Sequence, residues 1–255
     1  MHLRSAVVTA ALVLGCCAVW PAAASKTDKN LQLVNLHDLK TTVAIGDYFL
    51  KQQTLLAARA YLARVGAEQN LGKDWNATNV YWRQAEDALV TEVTRQTRRD
   101  FSNMEWLSEE WAGINDRDLS EQDMDALLGH FETGIGRKQL MIIDHSVAFH
   151  VMASLSMAGK IVDNVPGSET ERKRMQDLYN AEDDAMRFDP NTSPEGTQFA
   201  LSPIGKKYFT NAVLNVSGLI TRRLYQLGRE IPERIDAGSP QVQAAVAAYR
   251  RSRSG

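Results

Sequence analysis

Beyond residue 38, apolar side chains recur every three or four positions through most of the chain, and no window alternates as a half-buried strand would. That periodicity commits the chain to helices packed on helices. One stripe runs through Leu39, Val43, Ile45, Phe49, Leu50, Leu55, Leu56, Tyr61 and Leu62 and stops near Gly72. A second runs through Val80, Trp82, Ala85, Leu89, Val90 and Val93, with Asn76 or Thr78 as its expected cap. Residues 101–116 are aromatic and acidic and read as one short helix. Ser120 with Asp123, and Ser168 with Glu171, have the spacing of capping boxes. Three Ser-Pro pairs, at 193, 202 and 239, fit an N-cap followed by proline at the first helical position. A long helix is expected over about 135–163, a loop over 187–196 and another long helix from Ser202 to about Gly228. The expected fold is an all-α bundle of seven or eight helices, in a single domain over residues 38–255, behind a flexible lead at 25–37.

The start of the chain has the form of an export signal. His2 and Arg4 precede an apolar run from Ser5 to Val19, and Ala22-Ala23-Ala24 offers a small-residue cleavage site. The run is shorter than the roughly 20 residues a spanning helix needs, so residues 1–24 read as a cleaved signal peptide of a periplasmic or secreted protein. A second reading takes Val13-Leu14-Gly15-Cys16 as a lipobox, with Cys16 the lipidated first residue. Cleavage after Ala24 removes both cysteines, and with them disulfides, thiol catalysis and cysteine metal ligands. It also removes Arg4, leaving 28 of the 29 basic residues against 31 acids, a net charge of −3 that argues against nucleic acid as a partner. The expected function is non-enzymatic: binding a partner protein of the cell envelope or serving envelope maintenance.

Two short stretches share a pattern sixty-nine residues apart: 133-TGIGRKQL-140 and 202-SPIGKKYF-209. Continued without a gap, the alignment pairs Leu140 with Phe209, Val147 with Val216, Val151 with Ile220 and Leu155 with Leu224. This suggests two related helical units, around 120–163 and 195–228, or a chance likeness of two amphipathic helices. An acidic pre-helix, an apolar patch ending in Phe, then Ser or Thr, Pro or Gly, any residue, Gly and two bases resembles domain-of-unknown-function family 2059. The match is 120-SEQDMDALLGHFETGIGRKQL-140, with 202-SPIGKKYF-209 as a partial second copy and Gly134 where proline is usual. The resemblance implies an exported helical bacterial protein. That family has no established activity, so it assigns no role to any numbered residue here.

The glycines of the first copy have P-loop spacing, but Ile135-Gly136 stands where Lys-Ser or Lys-Thr is required and no strand precedes it. What remains is either an anion site at the two helix starts, with Arg137, Lys138, Lys206 and Lys207 as contacts, or glycines that permit close helix packing. Asp144, His145 and His150 lie on one helix at spacings of one and five, which diverge around the helix and do not form a metal pair. In the alignment they oppose Val213, Leu214 and Leu219. They are therefore either buried polar groups satisfied one by one, with His130 or the acids at 182–184 as partners, or a polar pocket serving a small-molecule binder or hydrolase. Those same charges and Lys160 would be costly in lipid, so the helix reads as a buried core helix rather than an integral membrane span. No spaced metal set, catalytic-triad signature or cofactor motif is present, and no metal or cofactor is expected.

Overall fold

The computed structural model describes residues 24–162, 165–185 and 193–254. The expected signal peptide, apart from Ala24, and residues 186–192 of the expected loop lie outside them. The protein is an all-α bundle, as the periodicity predicts. In order, the helices are α1 (Lys26–Asn35), α2 (Lys40–Glu68), α3 (Val80–Ser102), α4 (Glu105–Asp118), α5 (Glu121–Phe131) and α6 (Gly134–Met157). There follow α7 (Glu169–Ala185), α8 (Pro194–Leu201), α9 (Pro203–Thr210), a π-helical turn (Asn211–Val216), α10 (Ser217–Ala237) and α11 (Ser239–Ser254).

The long α2 is the axis of the bundle and packs against α3, α6, α7 and α10. Its segment Ala44–Leu50 is buried on all sides, which explains why its apolar residues spread around the helix instead of keeping to one face. One charge is included: Asp47, whose carboxylate meets Arg98 Nε at 3.1 Å and Arg174 Nη1 at 3.2 Å. Burial pushes the Asp47 carboxyl upward, and the two guanidiniums oppose that shift. The helix α6 is long and apolar enough, by length and composition, to cross a membrane. In the fold one face of it enters the core, with Val147, Ala148, Val151 and Leu155 completely buried, while Met141, Phe149 and Met157 are exposed.

Several boundaries differ from expectation, each for a local reason. The stretch 25–37, expected as a flexible lead, forms α1. Ser25 and Asp28 make a reciprocal capping box, and Leu33 and Val34 dock against α4 and α5. Asn79, rather than Asn76 or Thr78, caps α3 by accepting from the backbone N–H groups of Tyr81 and Trp82. Met104 adopts a left-handed backbone (φ 55°) that ends the turn after α3 and starts α4, so Phe101 belongs to the earlier helix. The helix α6 stops at Met157, and Gly159 (φ 62°) turns the chain away. Pro194 already starts α8, capped by Ser193. Finally, α10 runs past Gly228 to Ala237 because Ile231 and Ile235 hold the extension in the core.

The two related stretches turn out to be the same device used twice. Thr133 caps α6 by accepting from the Gly136 N–H at 2.9 Å, and Ser202 caps α9 by accepting from the Gly205 N–H at 3.0 Å. Each hydroxyl also donates, at 2.7 Å, to a carbonyl three residues back, on His130 and Phe199 respectively. The glycines are needed because the preceding helix ends directly on them. A Cβ on Gly136 would lie 2.0 Å from the His130 carbonyl oxygen, and one on Gly205 would lie 2.1 Å from that of Phe199. His130 and Phe199, equivalent in the alignment, stack face to face with ring centroids 3.5 Å apart. The paired residues Val147 and Val216, Val151 and Ile220, and Leu155 and Leu224 are all completely buried. The fourth pair differs, with Leu140 buried and Phe209 44% exposed, and α6 packs against the π turn and α10.

Candidate functional site

Asp144 lies at the centre of a buried polar chain. Its Oδ2 accepts from the backbone N–H of Asp38 at 2.9 Å, and its Oδ1 is bonded to His37 Nδ1. On the far side of that ring, His37 Nε2 meets the Tyr208 hydroxyl at 2.7 Å. The network is satisfied with one tautomer: Nδ1–H donates to the carboxylate and the phenol O–H donates to Nε2. The indole of Trp111 covers the imidazole at a centroid distance of 4.3 Å. Burial, reinforced by the Asp144 charge, pushes the Tyr208 phenol upward, so it stays protonated. An Asp–His–hydroxyl order is also that of a nucleophilic triad. Here, however, the hydroxyl is on a residue with 0% exposure and the imidazole side chain is 1% exposed. The chain is built to fasten the α1–α2 connection onto α6 and α9, with no room for a substrate at its end.

The neighbouring His145 faces elsewhere. Its Nδ1 lies 3.2 Å from Glu182 Oε2, its ring stacks at a tilt on Tyr179, and the second oxygen of Glu182 accepts from the Thr41 hydroxyl. This cluster ties α6 to α7 and α2, and Glu182 is one of the acids expected to serve as partner. Among the described residues His150 hydrogen-bonds only within its own helix, through Nδ1 and the Ser146 carbonyl at 2.8 Å. His130 bonds through Nε2 to Gln139 Oε1, whose amide donates to the Gly196 carbonyl at 3.0 Å. The four polar candidates thus occupy four separate settings and do not form one pocket. Among the described residues, no group of three or more His, Cys, Asp or Glu is arranged to hold a metal ion.

The four bases expected as anion contacts do not converge either. Lys207 Nζ donates to the Asp118 carbonyl at 3.0 Å, with Asp123 at 4.0 Å. Lys206 stands at the edge of a cavity between α6, α8 and α9. Arg137 and Lys138 are exposed at the start of α6. The hydroxyl caps already occupy the free N–H groups of Gly136 and Gly205.

A trough runs between α4 and the π turn with α10, made of two adjoining cavities of about 510 and 520 Å³ that share Glu110, Leu219 and Arg222. Trp106 and Tyr225 line one end, and Leu214, 53% exposed, lies at the other. Gly113 and Gly218 leave open space on opposite sides. Four arginines, Arg117, Arg222, Arg223 and Arg229, line the trough against a single acid, Glu110. Arg223 is anchored to the Asp100 carbonyl at 3.3 Å, with its guanidinium 5.9 Å from the Trp106 ring centre. Arg117, Arg222 and Arg229 have no ionic partner among the described residues. Helical spacing carries the signal that would have found this face: Trp106, Glu110, Gly113 and Arg117 on α4, and Arg222, Gln226 and Arg229 on α10.

No family model, curated protein or solved structure matches the chain. The resemblance to domain-of-unknown-function family 2059 therefore rests on its motif residues alone.

Proposed function

We propose that this chain is an exported, non-enzymatic helical module, and that its α4–α10 trough receives an acidic amphipathic segment of a partner protein in the cell envelope. The observation that carries the reading is the set of three guanidiniums without an ionic partner among the described residues, Arg117, Arg222 and Arg229, along a trough of mixed polarity whose lining includes Trp106, Leu219 and Tyr225. The chain as a whole is net negative, so this local excess of positive charge is a concentrated feature rather than a general basicity. Arginine and tryptophan are also the side chains that most often carry interface energy. The π turn at one wall belongs to a class of distortion that recurs at functional sites. Export rests on the form of residues 1–24. The other reading, a small-molecule binder or hydrolase around Asp144, His145 and His150, has less support, because those side chains face different partners and the one hydroxyl in line with a histidine is buried.

The test is fluorescence anisotropy with a labelled helical peptide carrying Leu on one face and Glu on the other. The protein should bind it with an affinity that falls as salt rises, and Arg222→Glu with Arg229→Glu should weaken binding by about tenfold or more. A peptide of the same pattern with Lys in place of Glu should not bind. Equal binding of both peptides, or an unchanged affinity in the double variant, would overturn the reading.

A further inference from the structure

The near-equivalence of the two helical units exposes a difference between their flanks. On one flank the surface beside Tyr208 and Phe131 is closed. The His37 ring stacks on Tyr208, the Trp111 indole lies tilted against His37, and Tyr208 is 0% and Phe131 2% exposed. On the other flank the residues that correspond to Tyr208 and Phe131 are Gln139 and Ala200. Gln139 is buried as Tyr208 is, at 6% exposure, but neither it nor Ala200 is aromatic. They border a cavity of about 480 Å³, walled by Ile142, Ile143, Phe199 and Phe209. Its volume falls within the range of roughly 300–1,000 Å³ usual for small-ligand pockets. Phe209 is 44% exposed, an unfavourable state for an aromatic ring on a free surface.

The polar groups at this cavity are few and differ in state. Gln139 is saturated by His130 and the Gly196 carbonyl. The Lys206 ammonium, at the rim, has no hydrogen-bond or ionic partner among the described residues. An apolar cleft with one unpaired cation at its mouth matches a ligand with an aliphatic tail and a single anionic head. We infer that the cavity between α6, α8 and α9 binds a free acyl carboxylate, its tail against Ile142, Phe199 and Phe209 and its head on the Lys206 ammonium. Each methylene buried there strengthens the complex, so a tail of medium length supplies the affinity and the lysine supplies the preference for an anion. This site is independent of the trough, on a different set of helices.

The experiment is calorimetric titration of the full chain with dodecanoate below its micelle concentration, beside dodecyltrimethylammonium as a cationic control. Dodecanoate should bind at one site, and the cationic amphiphile should bind at least about tenfold more weakly. Lys206→Glu should remove that preference, and Phe209→Glu should abolish binding of dodecanoate. Phe209 is on the surface, so circular dichroism of this variant should show an intact fold. Ile142→Glu, checked in the same way, provides a second probe of the wall. Absence of dodecanoate binding, equal affinity for both amphiphiles, or unchanged binding in Phe209→Glu and Ile142→Glu would overturn the inference. Sedimentation with phosphatidylglycerol vesicles separates the remaining source of the same chemistry: binding to vesicles without binding to monomeric dodecanoate would overturn it in favour of a membrane-facing surface.

Discussion

At the scale of single residues, the polar chain through Asp144 sets the strongest expectation. Removing its carboxylate leaves the His37 ring N–H and the Asp38 backbone N–H without an acceptor in a buried setting. Asp144→Ala should therefore destabilise the fold by about 2–4 kcal/mol in urea unfolding. Adding His37→Leu and Tyr208→Phe to Asp144→Val should recover part of the loss, since the ring N–H and the phenol O–H are then removed with their acceptors and the Asp38 N–H alone is left without its partner. His150→Leu should change stability by no more than about 0.5 kcal/mol, because among the described residues His150 hydrogen-bonds only within its own helix. The glycines at the two helix starts are the other sensitive positions. Gly136→Ala and Gly205→Ala each force a methyl against a backbone carbonyl, and each should cost at least about 2 kcal/mol. A stable Gly136→Ala protein would show that the close approach of α5 to α6 is dispensable.

At the scale of elements, the caps explain why so much of the helical pattern was legible. Ser120 with Asp123, Ser193-Pro194 and Ser202-Pro203 all start helices where their chemistry predicts, because a hydroxyl satisfying a free N–H is a local event. Asp123 also provides a pH expectation. The Ser120 N–H and hydroxyl hold its carboxyl below the ordinary aspartate value, so its contribution to stability is present above that ordinary value and is lost as pH falls through the lowered one. Asp123→Asn should be less stable than the parent at neutral pH, and the gap should close in thermal melts run at progressively acid pH. What stayed illegible depends on distant neighbours. The helix α1 has few apolar residues and is held by docking Leu33 and Val34, which no local pattern announces. His37 looked like the end of a loose lead, and only the fold brings it to Asp144 and Tyr208. Likewise, the alignment treated positions 145 and 214 as equivalent core sites. In the fold His145 is nearly buried beside Glu182, whereas Leu214 lies open in the trough beside the π turn.

At the scale of the whole molecule, the bundle is closed by bonds between parts of the chain that are far apart in sequence. His37 reaches Tyr208 across 171 positions, and the Tyr249 hydroxyl donates to the Leu71 carbonyl across 178. Contacts of such separation carry the largest loop-closure cost and form only after shorter-range structure is in place. The α2–α3 pair and the α5–α6 unit can collapse early, but the ring of helices stays unlatched until α9 and α11 have joined it. Under the proposed export, in which the chain would be threaded through a translocation channel before it folds, that order would be a safeguard: the partly synthesised polypeptide would have no means of locking shut. Stopped-flow refolding should show it, with the fluorescence change of Trp111 beside His37 lagging behind the rise of helical circular dichroism, and simultaneous phases would rule the late latch out.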